Sequence, residues 1–104
     1  MIEEKVKKKN TTIRESSIES KCCKYAKTIG FNPYKMLTPN NRGFPDRMFY
    51  GQGKVFFVEF KSPTGKPTKL QSLQIKHLQD EKFDVYIVNN IEDFKKICSY
   101  QLQK

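Results

Sequence analysis

The chain has 104 residues, with 20 Lys and Arg against 11 Asp and Glu, and a formal net charge of +9. A hydrophobic share of 37% beside 30% charged residues excludes a chain too polar to collapse and predicts one domain with a modest core. No apolar run approaches the ~20 residues that a membrane span needs, and no signal-peptide pattern opens at Met1, so a cytoplasmic protein without a membrane role is expected. The excess of positive charge points to a polyanion as partner, nucleic acid being the commonest.

Residues 1–10 (MIEEKVKKKN) are charged and weakly apolar, and predict a basic N-terminal arm ahead of a single domain over 11–104. A helix is expected from 11 or 12 to 29. Ile18, Cys22, Tyr25 and Ile29 recur at i, i+4, i+7 and i+11 as one apolar stripe. Thr12 and Glu15 have capping-box spacing, and Gly30 is a natural stop. Glu15 and Glu19 stand one turn apart beside the stripe. The cysteines Cys22, Cys23 and Cys98 have no metal-ligand spacing, and their odd count fits no disulfide framework, so reduced thiols are expected.

Residues 31–37 predict a first strand, interrupted early by Pro33, and 38–44 a loop. Two strand-like runs, 47–50 and 54–60, flank Gly51-Gln52-Gly53 and read as a hairpin. Pro45 cannot belong to a central ladder, so Asp46 opens the first of these strands. In the second, Val55, Phe57, Glu59 and Lys61 share one face and Phe56, Val58 and Phe60 the other. Both faces are apolar as far as Val58, which predicts a central strand covered by helices. After a loop at 62–67, Thr68 begins a helix with Gln71 in its first turn; Leu70, Leu73 and Leu78 are expected inward, with Ile75 off that stripe. A strand at 83–88, a turn and cap at Asn89-Asn90 and a terminal helix at 91–100 complete the chain. The order is helix, three strands, helix, strand, helix, an α/β fold. The late strand–helix–strand unit implies a right-handed crossover and a partly parallel, mixed sheet flanked by helices.

Charged groups at the end of a buried strand cost desolvation unless they are paired or bind a partner. Glu59 and Lys61 could form a strand-end salt bridge. Alternatively, Asp46 across the hairpin joins Glu59 in offering hard oxygen ligands, which suit Mg²⁺ or Mn²⁺ rather than zinc. The Phe60 carbonyl lies between Glu59 and Lys61 and could add a ligand. Lys61 would then orient or activate a water, or hold a phosphate.

These residues carry a resemblance. Pro45-Asp46 followed by Glu59-Phe60-Lys61 resembles the motif of the PD-(D/E)XK nuclease superfamily. Arg14-Glu15-x-x-Ile18-Glu19, Gly43-x-Pro45-Asp46-Arg47, Val58-Glu59-Phe60-Lys61 and Thr68-x-x-Gln71 occur in one order and together resemble the VRR-Nuc (virus-type replication-repair nuclease) family in its stand-alone, phage-encoded form. The resemblance covers about residues 14–89. It implies a restriction-endonuclease-like αβββαβα core and structure-selective cleavage of DNA dependent on Mg²⁺ or Mn²⁺. Asp46 and Glu59 would be metal ligands, Lys61 the catalytic lysine and Gln71 an accessory residue. Glu15 matches the helix glutamate of many members, whereas the spacing from Glu19 to Gly30 is similar to archaeal Holliday-junction resolvases, so Glu19 is the alternative. Phe44 and Phe60 depart from the pattern, standing where smaller aliphatics are usual. By analogy a homodimer acting on branched or junction DNA is expected. A flap or nicking nuclease, or a DNA-binding module with an inactive site, are the alternatives. Arg47 could contact phosphate or pair with an acid. Tyr34, Lys35 and Asn40 to Arg42 could form a DNA-facing rim, with Lys66 and Lys69 as further phosphate contacts. His77 is expected at the surface rather than as a base.

Overall fold

The computed structural model describes residues 13–37 and 43–104; the expected arm at 1–10, the Thr12 cap and the rim residues Asn40 to Arg42 lie outside them. The elements are α1 (Glu15–Thr28), β1 (Asn32–Lys35), β2 (Arg47–Gly51), β3 (Lys54–Phe60), α2 (Lys69–Asp80), β4 (Asp84–Val88) and α3 (Ile91–Gln103), the order expected from the sequence. They form a four-stranded sheet in the order β1-β2-β3-β4. The first three strands are antiparallel, and β4 lies parallel to β3. Among the described residues no helix is long and apolar enough to cross a membrane.

The β2–β3 hairpin closes through Gln52 and Gly53, with φ of 54° and 75°. Left-handed backbone at both central positions suits the twist of a two-residue hairpin, and Gly53 adopts it without steric cost. The resulting register pairs Arg47 with Val58, Met48 with Phe57 and Phe49 with Phe56. It assigns each side chain of the hairpin to a face.

As expected, β3 is central and covered on both sides. Phe56, Val58 and Phe60 enter the larger core with Ile18, Cys22 and Ala26 of α1 and Phe94 and Cys98 of α3. Phe57 points the other way and meets Ile75 of α2 and Val85 of β4. Phe49 and Phe56 stack with ring centroids 5.3 Å apart, and Phe49 meets Phe94 at 5.1 Å. Such ring pairs add specificity to the apolar burial that drives the assembly. Burial pushes the Cys22 and Cys98 thiols up to about 12 and also raises Cys23, so all three free cysteines are inert at neutral pH.

Several expected boundaries shift. Helix α1 starts at Glu15 behind Arg14, which offers no side-chain cap. It ends as expected at Gly30, where the Phe31 N–H donates to the Ala26 carbonyl at 2.9 Å, and Gly30 N–H to Lys27 at 3.4 Å. That cap consumes Phe31, so β1 begins at Asn32. Pro33 lies within β1, tolerated because this strand is the sheet's edge. Helix α3 runs three residues past its expected end, its last turn anchored by Gln101, whose side-chain amide donates to Asp84 at 2.7 Å and to the Tyr86 hydroxyl at 2.9 Å.

The expected inward face of α2 holds at Leu78, which packs against the smaller core, and fails at Leu70, Leu73 and Ile75. Ile75 is buried at 6% exposure, while Leu70 and Leu73 are 42% and 63% exposed. The helix is docked by Gln71, and the residues that share its stripe, Ile75 and Leu78 at i+4 and i+7, therefore face the sheet. Counting leucines missed this because a polar residue sets the rotation.

Candidate active site

The ladder between β2 and β3 ends at the Arg47–Val58 pair. Beyond it Asp46 is pinned from both sides. Its carbonyl accepts from Met36 N–H at 2.9 Å, extending the β1 ladder, and its carboxylate Oδ2 accepts from Phe60 N–H at 2.8 Å. A side chain thus replaces the β2 partner that Phe60 lacks, its pairing with Val88 of β4 being on the other side. Buried Pro45 sets the approach to Asp46. Two residues earlier, Gly43 has φ of 86°, and a Cβ there would come within 2.9 Å of the Leu70 backbone. Only glycine lets this segment run against α2.

Glu59 is 1% exposed and sits where β3 passes between the two helical layers. Its Oε2 accepts from Gln71 Nε2 at 2.9 Å and faces Lys61 Nζ at 3.3 Å. Its Oε1 is buried without a hydrogen-bond partner among the described residues. Burial, with the Asp46 charge as the next cause, raises the Glu59 carboxyl to about 7. Burial also raises Asp46, opposed by the Phe60 N–H. Two carboxylates are therefore held close together in an apolar setting where both resist ionisation. A buried acceptor left empty costs roughly 1–3 kcal/mol, so the single Lys61 ion pair is an incomplete answer to the charge present.

Gln71 does two jobs with one amide. Its carbonyl oxygen accepts from Thr68 N–H at 2.9 Å, while Thr68 Oγ1 accepts from Gln71 N–H at 3.1 Å, a complete capping box. With the oxygen occupied, the –NH₂ group must point at Glu59. The first turn of α2 is therefore bolted directly onto the acidic pair.

The two helix glutamates separate sharply. Glu19 Oε2 accepts from Arg47 Nε at 2.6 Å and Lys35 Nζ at 3.0 Å. Burial alone would raise Glu19, but these bonds outweigh it and hold the carboxyl below its ordinary range. Glu15 is exposed, and its negative charge reaches both Asp46 and Glu59 and helps raise them. Among the described residues no three His, Cys, Asp or Glu side chains converge into a metal-holding cluster, so neither Glu15 nor Glu19 joins the acidic pair as a third direct ligand in this arrangement. Arg47, for which phosphate and an acid were the alternatives, pairs with an acid, and Lys35, placed in the DNA-facing rim, joins it on Glu19. Lys66, Lys69, Tyr34 and His77 are exposed.

The donor set fits a hard divalent cation on this structure's own terms. Glu59 Oε1 is an unsatisfied oxygen, Asp46 uses Oδ2 for Phe60, and the Phe60 carbonyl leaves the strand on the same side as its N–H, toward Asp46. Mg²⁺ and Mn²⁺ need few protein ligands because they retain waters. The residues singled out in the sequence, Asp46, Glu59, Lys61 and Gln71, lie together at the end of β3. Sequence reasoning missed the groove on the opposite face, where α1 contributes Ser16, Ser20, Lys24 and Lys27 beside Lys35 and Arg47; their helical spacing was the available signal.

No known family model matches the chain. It is similar to a curated protein of Acyrthosiphon pisum secondary endosymbiont phage 1 named "Putative nuclease p44", with 45% identity over 60 residues. The match takes in 57% of this chain and 64% of that relative, so the chain spans less than two thirds of the relative's length.

Proposed function

We propose that the protein is a metal-dependent endonuclease that hydrolyses phosphodiester bonds in branched DNA, in the manner of a junction resolvase. The observation that carries the reading is Glu59 Oε1, buried and without a hydrogen-bond partner among the described residues, beside Asp46 and with Lys61 on the same strand face. Buried oxygens are rarely left without a partner, so one here points to a ligand. Similarity to a phage protein named as a nuclease, and a net charge of +9, support it.

Asp46 and Glu59, with the Phe60 carbonyl, would hold Mg²⁺ or Mn²⁺. When bound, such an ion supplies a water of lowered pKa and stabilises charge on a phosphate. Lys61 keeps a cation within 3.3 Å of Glu59 and is poised to orient the attacking water or hold the scissile phosphate. Gln71 fixes the Glu59 carboxylate through Oε2, leaving Oε1 for the ion. Glu15 is preferred over Glu19 as the helix acid, because Glu19 is occupied by two cations; its role would be through a metal-bound water.

The test is cleavage of a synthetic four-way junction and a linear duplex, each with Mg²⁺, Mn²⁺ or EDTA. Wild type should cut the junction with either metal and not with EDTA. Lys61→Ala should lose roughly a hundredfold or more of the rate, the scale of a removed proton-transfer or charge-stabilising group. Cutting of flaps or duplex would keep the chemistry and change the substrate. Binding without metal-dependent cutting would overturn the enzyme and leave a DNA-binding module.

A further inference from the structure

The acidic pair lies on the α2 side of the sheet, but the chain leads from it directly to a basic groove on the α1 side. Asp46 and Arg47 are consecutive, and neighbours on a strand point to opposite faces. Arg47 pairs in register with Val58 of the α1-facing core and with Lys35 of β1, so both cations emerge beneath α1. There they line a groove of about 370 Å³ with Ser16, Ser20, Lys24 and Lys27. The four α1 residues are spaced i, i+4, i+8 and i+11, a single stripe about 16 Å long.

The groove contains one acid, Glu19, whose carboxylate is gripped by Arg47 at 2.6 Å and Lys35 at 3.0 Å. Two convergent cations on one oxyanion is the arrangement that a phosphate group also satisfies. Lys24 and Lys27 have no carboxylate partner among the described residues, and the serine hydroxyls add neutral donors beside them. Nothing in the fold requires these cations, since Lys24 and Lys27, like Ser16 and Ser20, are solvent-facing.

Resting on the nuclease reading above, we infer that this groove is the track for the phosphate backbone of the strand leaving the cleavage site. Glu19 is its resident phosphate mimic, displaced from Arg47 and Lys35 when DNA binds. The α1 stripe supplies affinity without reading sequence, because its contacts are with charge and not with base edges. Glu19 keeps the groove from holding polyanions indiscriminately: an incoming phosphate must compete with a carboxylate already in place.

The experiment is fluorescence anisotropy of a labelled four-way junction in EDTA, which removes any contribution from a metal, over about 50 to 200 mM salt. The variants are Lys24→Ala/Lys27→Ala, Glu19→Gln and a charge-matched control on exposed lysines elsewhere, Lys76→Ala/Lys96→Ala. The groove double variant should bind roughly tenfold more weakly and flatten the log–log salt slope by about two, one for each phosphate that a lysine no longer neutralises. Glu19→Gln should bind tighter than wild type. Equal affinities and slopes for groove and control variants would overturn the inference, as would weaker binding by Glu19→Gln. Wild type that cuts DNA while the groove variants behave as the control sinks the track alone; wild type that neither binds nor cuts sinks the nuclease reading with it.

Discussion

At the residue scale, Glu59 is the group whose energetics the fold leaves unresolved. Its carboxyl is raised from the ordinary 4.5 to about 7 by burial and by Asp46. An acid raised in the folded state binds its proton more tightly folded than unfolded. The folded state therefore holds more protons between these values, and stability falls as pH climbs through that window. Without metal, the wild type should be less stable at pH 8 than at pH 5 by on the order of 2 kcal/mol. Asp46 contributes in the same direction, since its carboxyl is also raised. Glu19 works oppositely: held low, it stabilises above its unfolded pKa and that benefit is lost as pH falls. Glu59→Gln isolates the effect, because it keeps the shape and removes the charge. Urea denaturation at the two pH values should show most of the difference gone in the variant. Mg²⁺ should restore stability at pH 8 to wild type and not to Glu59→Gln, since a ligand of the folded state alone stabilises by mass action. A variant with the same pH dependence as wild type would place the cost elsewhere.

At the scale of the element, α2 shows what its sequence revealed and concealed. Its start was legible, because Thr68 and Gln71 carry a capping spacing with a local physical cause. Its rotation was not. Leu70 and Leu73 suggested an apolar stripe, but the Gln71 amide is tethered to Glu59, and that long-range bond turns Ile75 inward instead. The hairpin and β3 were legible for the opposite reason: a glycine turn and a short run apolar on both faces are local signals that tertiary contacts had no cause to override. The candidate site followed β3, which is why the proximity of Asp46, Glu59 and Lys61 was legible, whereas the pairing of Glu19 with Arg47 and Lys35 joins residues 28 and 16 positions apart, beyond any periodicity. The capping box yields a prediction of its own. Thr68→Ala should cost about 1 kcal/mol of stability by leaving the Gln71 N–H without its acceptor. Cleavage should be nearly unchanged in this variant, because the Gln71 carbonyl oxygen accepts from the Thr68 backbone N–H, which alanine retains; Gln71→Ala, which takes the amide away from Glu59, should slow it several-fold. Chemical denaturation and the junction assay on each preparation check both, and unchanged cleavage by Gln71→Ala would confine Gln71 to a structural role.

At the scale of the whole molecule, one chain carries one acidic pair, while a four-way junction is resolved by two cuts in strands of like polarity. Two copies related by a two-fold axis would present two sites to those strands, and closed two-fold dimers are the commonest assembly of soluble chains. A chain with a charge of +9 would gain in another way from pairing: two basic grooves on one particle would multiply the effective concentration of each for the same DNA. The charge also opposes the pairing, since like-charged copies repel over the ~10 Å that salt leaves unscreened. The dimer should therefore tighten with ionic strength while DNA binding weakens, an opposition that separates the two equilibria. Light scattering at micromolar protein should give twice the chain mass, rising toward that value as salt increases. The functional readout is a supercoiled plasmid that extrudes a cruciform. Coupled cuts within one dimer linearise it directly, whereas a monomer leaves nicked circles that become linear only in a later, independent event. Monomeric mass at all salt concentrations, together with accumulation of nicked circles, would remove the resolvase reading and leave a nicking nuclease built on the same Asp46, Glu59 and Lys61.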